Sequence, residues 1–391
     1  MIATLIWFIL ILSVIVISHE FGHFIVARAN GIRVNEFDVG MGPTLISFKK
    51  GETTFALKLL PLGGACVFDP IEDLDISSDV GKKEKNIAAN ANVNVNAGED
   101  GEASLYVQKN DDISLYDNDI DKDPHAYKNA TVWARISTVV AGPIFNFILA
   151  MIFSMIIVAE CGTDLPTVAG LTEGRPAATS GISEGDTIVS INGEKIHVWR
   201  DISLISILND GEPLEFEYLH EGRKLTTTIT PKYSEEEGRY FIGIEGGADQ
   251  MECKGANLFK YSWYELVFNF RNTLKSLKQL VLGKLSRDAV SGPVGIAQVV
   301  GESYDVAKDY GVSSVVLTMM NIAMLLSVNL GVINLLPLPA IDGGRLVFLL
   351  IELVRRKPVP PKYEGYVHIA GFIMFFIITI LVLFNDISKF F

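Results

Sequence analysis

His19, Glu20 and His23 stand in the stretch ISHEFGHFIVA, inside an apolar run near the start of a 391-residue chain. Charge and imidazole within a membrane-length segment are costly, so they need a reason. On an α-helix, residues four apart share a face, and His19 and His23 can direct two ring nitrogens at one cation with Glu20 beside them. This H-E-x-x-H spacing suits zinc-assisted hydrolysis: the ion lowers the pKa of water toward ~7 and the carboxylate takes the proton. In that reading Gly22 leaves room beside the metal. The alternative is a buried polar cluster satisfied by neighbouring helices. The motif lacks a third ligand, which must arrive from elsewhere as a carboxylate or a further imidazole.

A second stretch, NLGVINLLPLPAIDGGR, offers one. Pro337 and Pro339 stop a regular helix, and Asp342-Gly343-Gly344 follows as a turn at membrane depth. Asp342 is the candidate third zinc ligand; an Asp capping the next helix is the plainer alternative. Asn146 and Asn334 place amides inside apolar runs. Asn146 either bridges helices or holds a substrate backbone or oxyanion, and Asn334 can line the same cavity.

These residues need spans to carry them. The chain is 49% hydrophobic with mean hydropathy +0.31, which marks a multi-pass membrane protein with soluble inserts. Apolar runs near residues 2–27, 136–159, 313–338 and 367–384 can each cross the ~30 Å hydrocarbon core. The first has no basic leader and reads as a retained span. Arg28, Arg33, Lys49, Lys50 and Arg135 flank the first loop, and Arg345, Arg355, Arg356, Lys357 and Lys362 fill the third. Both loops are therefore expected in the cytoplasm and residues 160–312 outside. Spans one and three then run in the same direction, which brings His19, His23 and Asp342 to one depth; opposite directions would separate them by ~30 Å.

The net charge of −13 is local: residues 69–124 hold fifteen Asp and Glu against five Lys, a net of −10 that leaves −3 for the rest. With the low-complexity run NIAANANVNVNAG, this stretch reads as an acidic insertion with little to bury, within a connector over 69–135. Lys122 and Lys128 stand where a calcium loop needs Gly and Glu, so the acids from Asp117 to Asp123 make a poor calcium site. No nucleic-acid partner is expected. Cys66, Cys161 and Cys253 match no metal pattern.

Thr53–Phe68, TTFALKLLPLGGACVF, is rich in β-formers and broken by Pro61, Gly63 and Gly64. It is either a cytoplasmic hairpin or a loop dipping into the bilayer beside the metal, with an edge free to pair with an unwound substrate strand. Residues 164–247 change to short β-rich runs with Gly turns, in an order resembling a PDZ domain whose groove accepts an extended peptide. From Leu258 to Ser286, aromatics and leucines alternate with Lys and Arg at helical spacing: an amphipathic helix on the outer membrane face or on the PDZ-like domain, within a connector over 248–312.

Taken together, HEFGH, the PLGG loop, AGPIFN, the PDZ-like domain, SGPVGI and NLLPLPAIDGG resemble the bacterial site-2 protease family, zinc intramembrane proteases that include the regulator of sigma-E protease. The match runs in order through nearly the whole chain. The resemblance implies an α-helical membrane protein of about four transmembrane helices, with a membrane-reentrant β-loop and one extracytoplasmic PDZ-like domain. It implies Zn2+ held by His19, His23 and Asp342, Glu20 as general base, and Asn146, Asn334 and the loop glycines Gly63 and Gly64 in substrate binding. The substrates it implies are single-span membrane proteins, such as anti-sigma factors, cut within the bilayer of the cytoplasmic membrane after another protease has acted. The PDZ-like groove would take peptide or substrate ends and act as a size filter. The chain departs from well-known members in having one PDZ-like domain where some have two, which bears on gating, and in the acidic insertion, which suggests a cytoplasmic regulatory contact. A metal transporter or a PDZ-bearing scaffold would be the rival classes; the first lacks a polar path through spans two and four, and the second gives no use for HEFGH and Asp342.

Overall fold

The computed structural model describes residues 2–68, 123–235, 238–247, 250–284 and 291–388. The acidic insertion, apart from its last residues, lies outside them, as does nearly all of the Asp117–Asp123 run.

Eight α-helices occur among the described residues: α1 (Ile2–Ala29), α2 (Val132–Cys161), α3 (Trp199–Ile207), α4 (Ala256–Val281), α5 (Pro293–Ala307), α6 (Val312–Leu335), α7 (Asp342–Arg355) and α8 (Pro361–Ser388). Of these, α1, α2, α6 and α8 are long and apolar enough to cross a membrane. The four expected runs are thus helical, the first, second and fourth with extended ends and the third stopping short. α2 begins four residues early because Thr131 caps it, its Oγ1 accepting from the amide of Ala134 at 3.3 Å. α6 stops at Leu335, before Pro337, whose ring disfavours helical backbone in the residue ahead of it.

Helices α1, α2 and α6 form the packed centre. Without a hydrophobic driving force between helices in lipid, close approach depends on small residues. A Cβ built on Gly22 of α1 would lie 2.5 Å from the carbonyl oxygen of Ala141 on α2. On the other side, a Cβ on Gly331 of α6 would meet Phe147 at 3.1 Å and the Pro143 carbonyl at 3.3 Å. The Ser327 hydroxyl donates to the Asn146 carbonyl at 2.8 Å. Phe8, Ile11 and Ile15 of α1 pack with Val300 of α5 and Met319 of α6, while Ala150 of α2 packs with Val328 and Val332 of α6.

Helix α8 is attached differently. Only 6% of its apolar window is buried, against 39% for α6. At its far end the buried carboxylate of Asp386 accepts the amides of Gly292 at 3.0 Å and Gly295 at 2.8 Å, at the N-terminus of α5. That charge is well placed against the exposed N–H groups and positive end of a helix dipole. The sequence SGPVGIA, within the stretch expected only as a connector over 248–312, supplies this start, with Pro293 in the first turn.

The stretch expected as a looped strand is β2 (Thr53–Val67), and its partner is a strand not anticipated, β1 (Glu36–Lys50). Phe48 sits opposite Phe55 and Ile46 opposite Leu57 at the outer end, while Phe37 sits opposite Cys66 and Val39 opposite Gly64 where β2 folds back. Positive φ at Gly40 (91°), Gly42 (90°) and Gly63 (85°) permits the bends that interrupt the register. Met41, Leu45, Ile46 and Phe48 remain exposed, an apolar surface suited to lipid.

The β-rich region has strands β3 (Thr163–Asp164), β4 (Val168–Leu171), β5 (Thr187–Ile191), β6 (Glu194–Lys195), β7 (Leu214–His220) and β8 (Arg223–Ile229), the last four ordered β6-β5-β7-β8. Phe216, Ile188, Ile191, Ile202 and Leu214 fill its core. Helix α4 is the amphipathic helix expected after it, and it contacts both the PDZ-like domain and the apolar helices. Towards the PDZ-like domain, His197 stacks on Tyr264 with ring centroids 4.0 Å apart, Glu265 pairs with Arg200, and Lys275 meets Glu194 at 2.8 Å. Towards the spans, Ser154 of α2 donates to the Ser262 carbonyl at 3.0 Å and Thr273 donates to Asn329 of α6 at 2.5 Å. The helix therefore runs beside the bundle and links it to the domain.

Candidate active site

The H-E-x-x-H residues lie on α1 where it crosses α2. Helical periodicity turns His19 and His23 to the same side, towards α2, and both are 7% exposed. Asp342, the first residue of α7, meets them from the turn after α6: its Oδ2 is 3.0 Å from His19 Nε2 and 3.2 Å from His23 Nε2, and the two Nε2 atoms are 3.2 Å apart. The common depth argued from basic loop residues is thus matched by direct contact.

Whether these atoms suit a cation can be asked of their own chemistry. His23 Nδ1 lies 2.8 Å from the Thr138 carbonyl, which can only accept, so Nδ1 carries a proton and Nε2 is the nitrogen that the neutral ring would offer to a metal. Asp342 Oδ2 is buried with no hydrogen-bond donor. Such atoms at 3.0–3.2 Å from one another need a proton or a metal cation between them, and a cation would serve all three at once. Tetrahedral zinc with bonds of 2.0–2.1 Å sets its ligand atoms about 3.3 Å apart, close to the spacing seen. The donor set fits zinc, with three protein ligands and one position left for a reacting group.

Around this triangle the structure adds residues that the sequence did not single out. A Cβ on Gly142 would lie 2.4 Å from His23 Nε2 and 2.8 Å from His19 Cε1. The room beside the imidazoles is therefore made by Gly142 of α2; Gly22, expected in that role, instead admits the Ala141 backbone. Nothing in a side-chain pattern could have pointed to the Thr138 carbonyl. Gly142 was visible in AGPIFN, but its contact depends on how α2 crosses α1.

Asn146 is fully buried, with its amide 3.3 Å from His19 Nδ1. If His19 binds metal through Nε2, Nδ1 carries the proton and the amide oxygen must face it. That orientation would also satisfy Asn146 Oδ1, which is otherwise buried without a partner. Asn334 reaches the triangle from α6, with Nδ2 3.4 Å from His19 Nε2, and is half-buried. Of the loop glycines, Gly64 adjoins the site: a Cβ there would lie 2.9 Å from Glu20 Cγ. Gly63 faces Met41 Sδ, 3.0 Å from its Cβ position, on the hairpin itself. Glu20 is thus flanked by the histidine pair within its own helix and by the returning strand of β2.

Asp342 depends on unusual backbone. Cβ positions on Gly343 and Gly344 would fall 1.8 Å from the Leu336 carbonyl and 2.4 Å from the Leu338 carbonyl, so the two glycines let α7 start flush against the Leu336–Pro339 turn. Arg135 of α2 holds Glu352 of α7 at 2.5 Å, fixing the helix further along.

A His-His-Asp triangle among apolar helices, with a carboxylate beside it, fits a zinc metalloendopeptidase of the intramembrane kind. The model of the peptidase family M50 matches residues 7–378. Over 99% of its length the chain is 34% identical to zinc metalloprotease RasP of Geobacillus kaustophilus, covering 98% of that protein. It is 30% identical to the regulator of sigma-W protease RasP of Bacillus subtilis, with 99% of each covered. Among solved structures it is similar to the PDZ domain of an SdrC-like protein from Listeria monocytogenes, with 20% identity, 22% of this chain and 87% of that one covered, and a TM-score of 0.20. The chain belongs to peptidase family M50, the site-2 proteases. It is a zinc-dependent, multi-pass membrane protease of regulated intramembrane proteolysis.

Proposed function

We propose that the protein cuts the transmembrane segments of single-span membrane proteins in the bacterial cytoplasmic membrane, anti-sigma factors among them, after another protease has removed the outer part. The observation that carries this reading is the convergence of His19 Nε2, His23 Nε2 and Asp342 Oδ2 within 3.0–3.2 Å of one another among the apolar helices. In this assignment these three hold zinc. Bound zinc supplies a Lewis acid for the scissile carbonyl and acidifies the attacking water.

The chain's residues do the remaining work. Glu20 takes the proton from the attacking water and returns it to the leaving amide nitrogen. Asn334, half-buried at the rim of the triangle, donates its amide to the substrate backbone or to the oxyanion as it forms. Asn146 acts through His19, holding its Nδ1 so that Nε2 faces inward. A helical substrate shields its peptide bonds with its own hydrogen bonds, so it must unwind before it can react. The strand Gly64–Val67, beside Glu20, provides an edge to which the freed segment adds by main-chain hydrogen bonds, with little demand on sequence. The PDZ-like groove takes substrate ends outside, consistent with the cytoplasmic placing of the basic loops.

The test pairs zinc content with cleavage of a model single-span substrate in detergent. Native protein and Glu20→Gln should each hold about one zinc per chain, with cleavage only by native protein; Asp342→Ala should lose metal and activity together. Cleavage surviving Glu20→Gln would overturn the assignment of the base. Zinc retained in full by Asp342→Ala would overturn the ligand set.

A further inference from the structure

The turn that delivers Asp342 is held from the side by the last span. Ala340 has φ of 72°, a left-handed conformation that an alanine adopts only when its surroundings impose it. Its amide donates to His368 Nδ1 of α8 at 3.1 Å. One turn on, a Cβ at Gly371 would lie 2.1 Å from Pro339 Cβ and 2.9 Å from the Pro339 carbonyl carbon, so α8 rests directly on the same turn. His368 and Gly371 are three apart and share a helix face. The imidazole is kept in place by Phe348 of α7, ring centroids 5.7 Å apart. With Nδ1 accepting, the ring proton sits on Nε2, buried and facing Glu364 Oε1 at 3.7 Å.

We propose that His368 is a positioning residue for the metal centre: by accepting the Ala340 amide it fixes the left-handed turn two residues before Asp342 and so sets where that carboxylate lies. The inference rests on Asp342 being a zinc ligand. Two ligands stand on a helix whose shape is set by its own hydrogen bonds, whereas the third stands after a non-helical turn. The orientation of that turn depends on an acceptor from another span. Groups that orient metal ligands typically change affinity 10–100-fold when removed, and one acting through two residues of backbone should fall at the low end of that range.

The experiment compares His368→Asn with His368→Leu in the full chain in detergent. The two side chains have similar bulk, and Leu is at home in a span, but only Asn offers an acceptor near the place of Nδ1. Zinc is withdrawn with graded chelator, and the rise in Tm that added zinc gives is read in parallel. His368→Leu should hold zinc roughly 10-fold more weakly and show a smaller zinc-dependent rise in Tm, with Tm of the stripped protein little changed. His368→Asn should recover most of the affinity, and kcat should follow affinity while KM stays near native. Equal zinc affinity in His368→Leu and native protein would overturn the proposal, as would His368→Asn behaving like His368→Leu. A purely packing role would instead lower Tm with and without zinc by the same amount, and that result also overturns it. Asp342→Ala run alongside separates the two readings: if it keeps zinc, the ligand assignment has failed; if it loses zinc while His368→Leu does not, only the role of His368 has failed.

Discussion

The two sides of the metal triangle are built on opposite principles. On one side, α1 and α2 meet through glycines with no slack: Gly22 against the Ala141 carbonyl, and Gly142 against both imidazoles. His23 is fixed by a backbone carbonyl and His19 by a fully buried amide. On the other side, Asp342 follows a turn with a left-handed alanine, covered by a span of which only 6% is buried. A chelate of two ligands can be written into one helix, while a third ligand brought from far along the chain needs tertiary support. The loose side is also the one through which the site could adjust.

This contrast can be broken in order of expected effect. The largest loss should come from Glu20→Gln, which removes the proton acceptor without touching either scaffold: kcat should fall by about 10²–10⁴ while zinc content stays, as measured by turnover and metal analysis. Gly142→Ala comes next. Its Cβ would intrude between the imidazoles, and forced repacking should cost about 1–3 kcal/mol with zinc lost in parallel; a variant of native stability and full zinc content would show that the α1–α2 side has slack after all. Asn146→Ala should weaken zinc about 10–100-fold by freeing His19, and Asn146→Asp, which keeps the acceptor, should restore much of it in chelator titration. The smallest effect is expected from Ala340→Gly, which relieves about 1 kcal/mol of left-handed strain and should leave zinc affinity near native. A large drop in affinity there would mean that stiffness at residue 340, beyond the hydrogen bond from its amide, governs Asp342.

Much of the site was legible because its chemistry contradicts its surroundings. Histidines and acids inside apolar runs have few explanations, and the prolines before Asp342 announced the break that exposes it. What escaped was whatever depends on backbone meeting backbone. The Thr138 carbonyl has no residue type to signal it, Gly142 fills the role expected of Gly22 because of how α2 crosses α1, and strand β1 was hidden because Met41, Leu45 and Ile46 serve lipid as readily as a core. Nothing in the pattern around His368 marks its contact with the Ala340 amide. The helix α5 was missed for a different reason: its N-terminus is completed by a carboxylate from Asp386, ninety-odd residues later.

That last contact bears on movement. α8 is fastened at one end by Gly371 and His368 to the turn after α6, and at the other by Asp386 to the start of α5. A rod pinned at both ends can bow but cannot swing away. An opening on this flank of the bundle would therefore take the form of a bulge between the two pins, widest near the middle of the bilayer, and it would put tension first on the attachment beside Asp342.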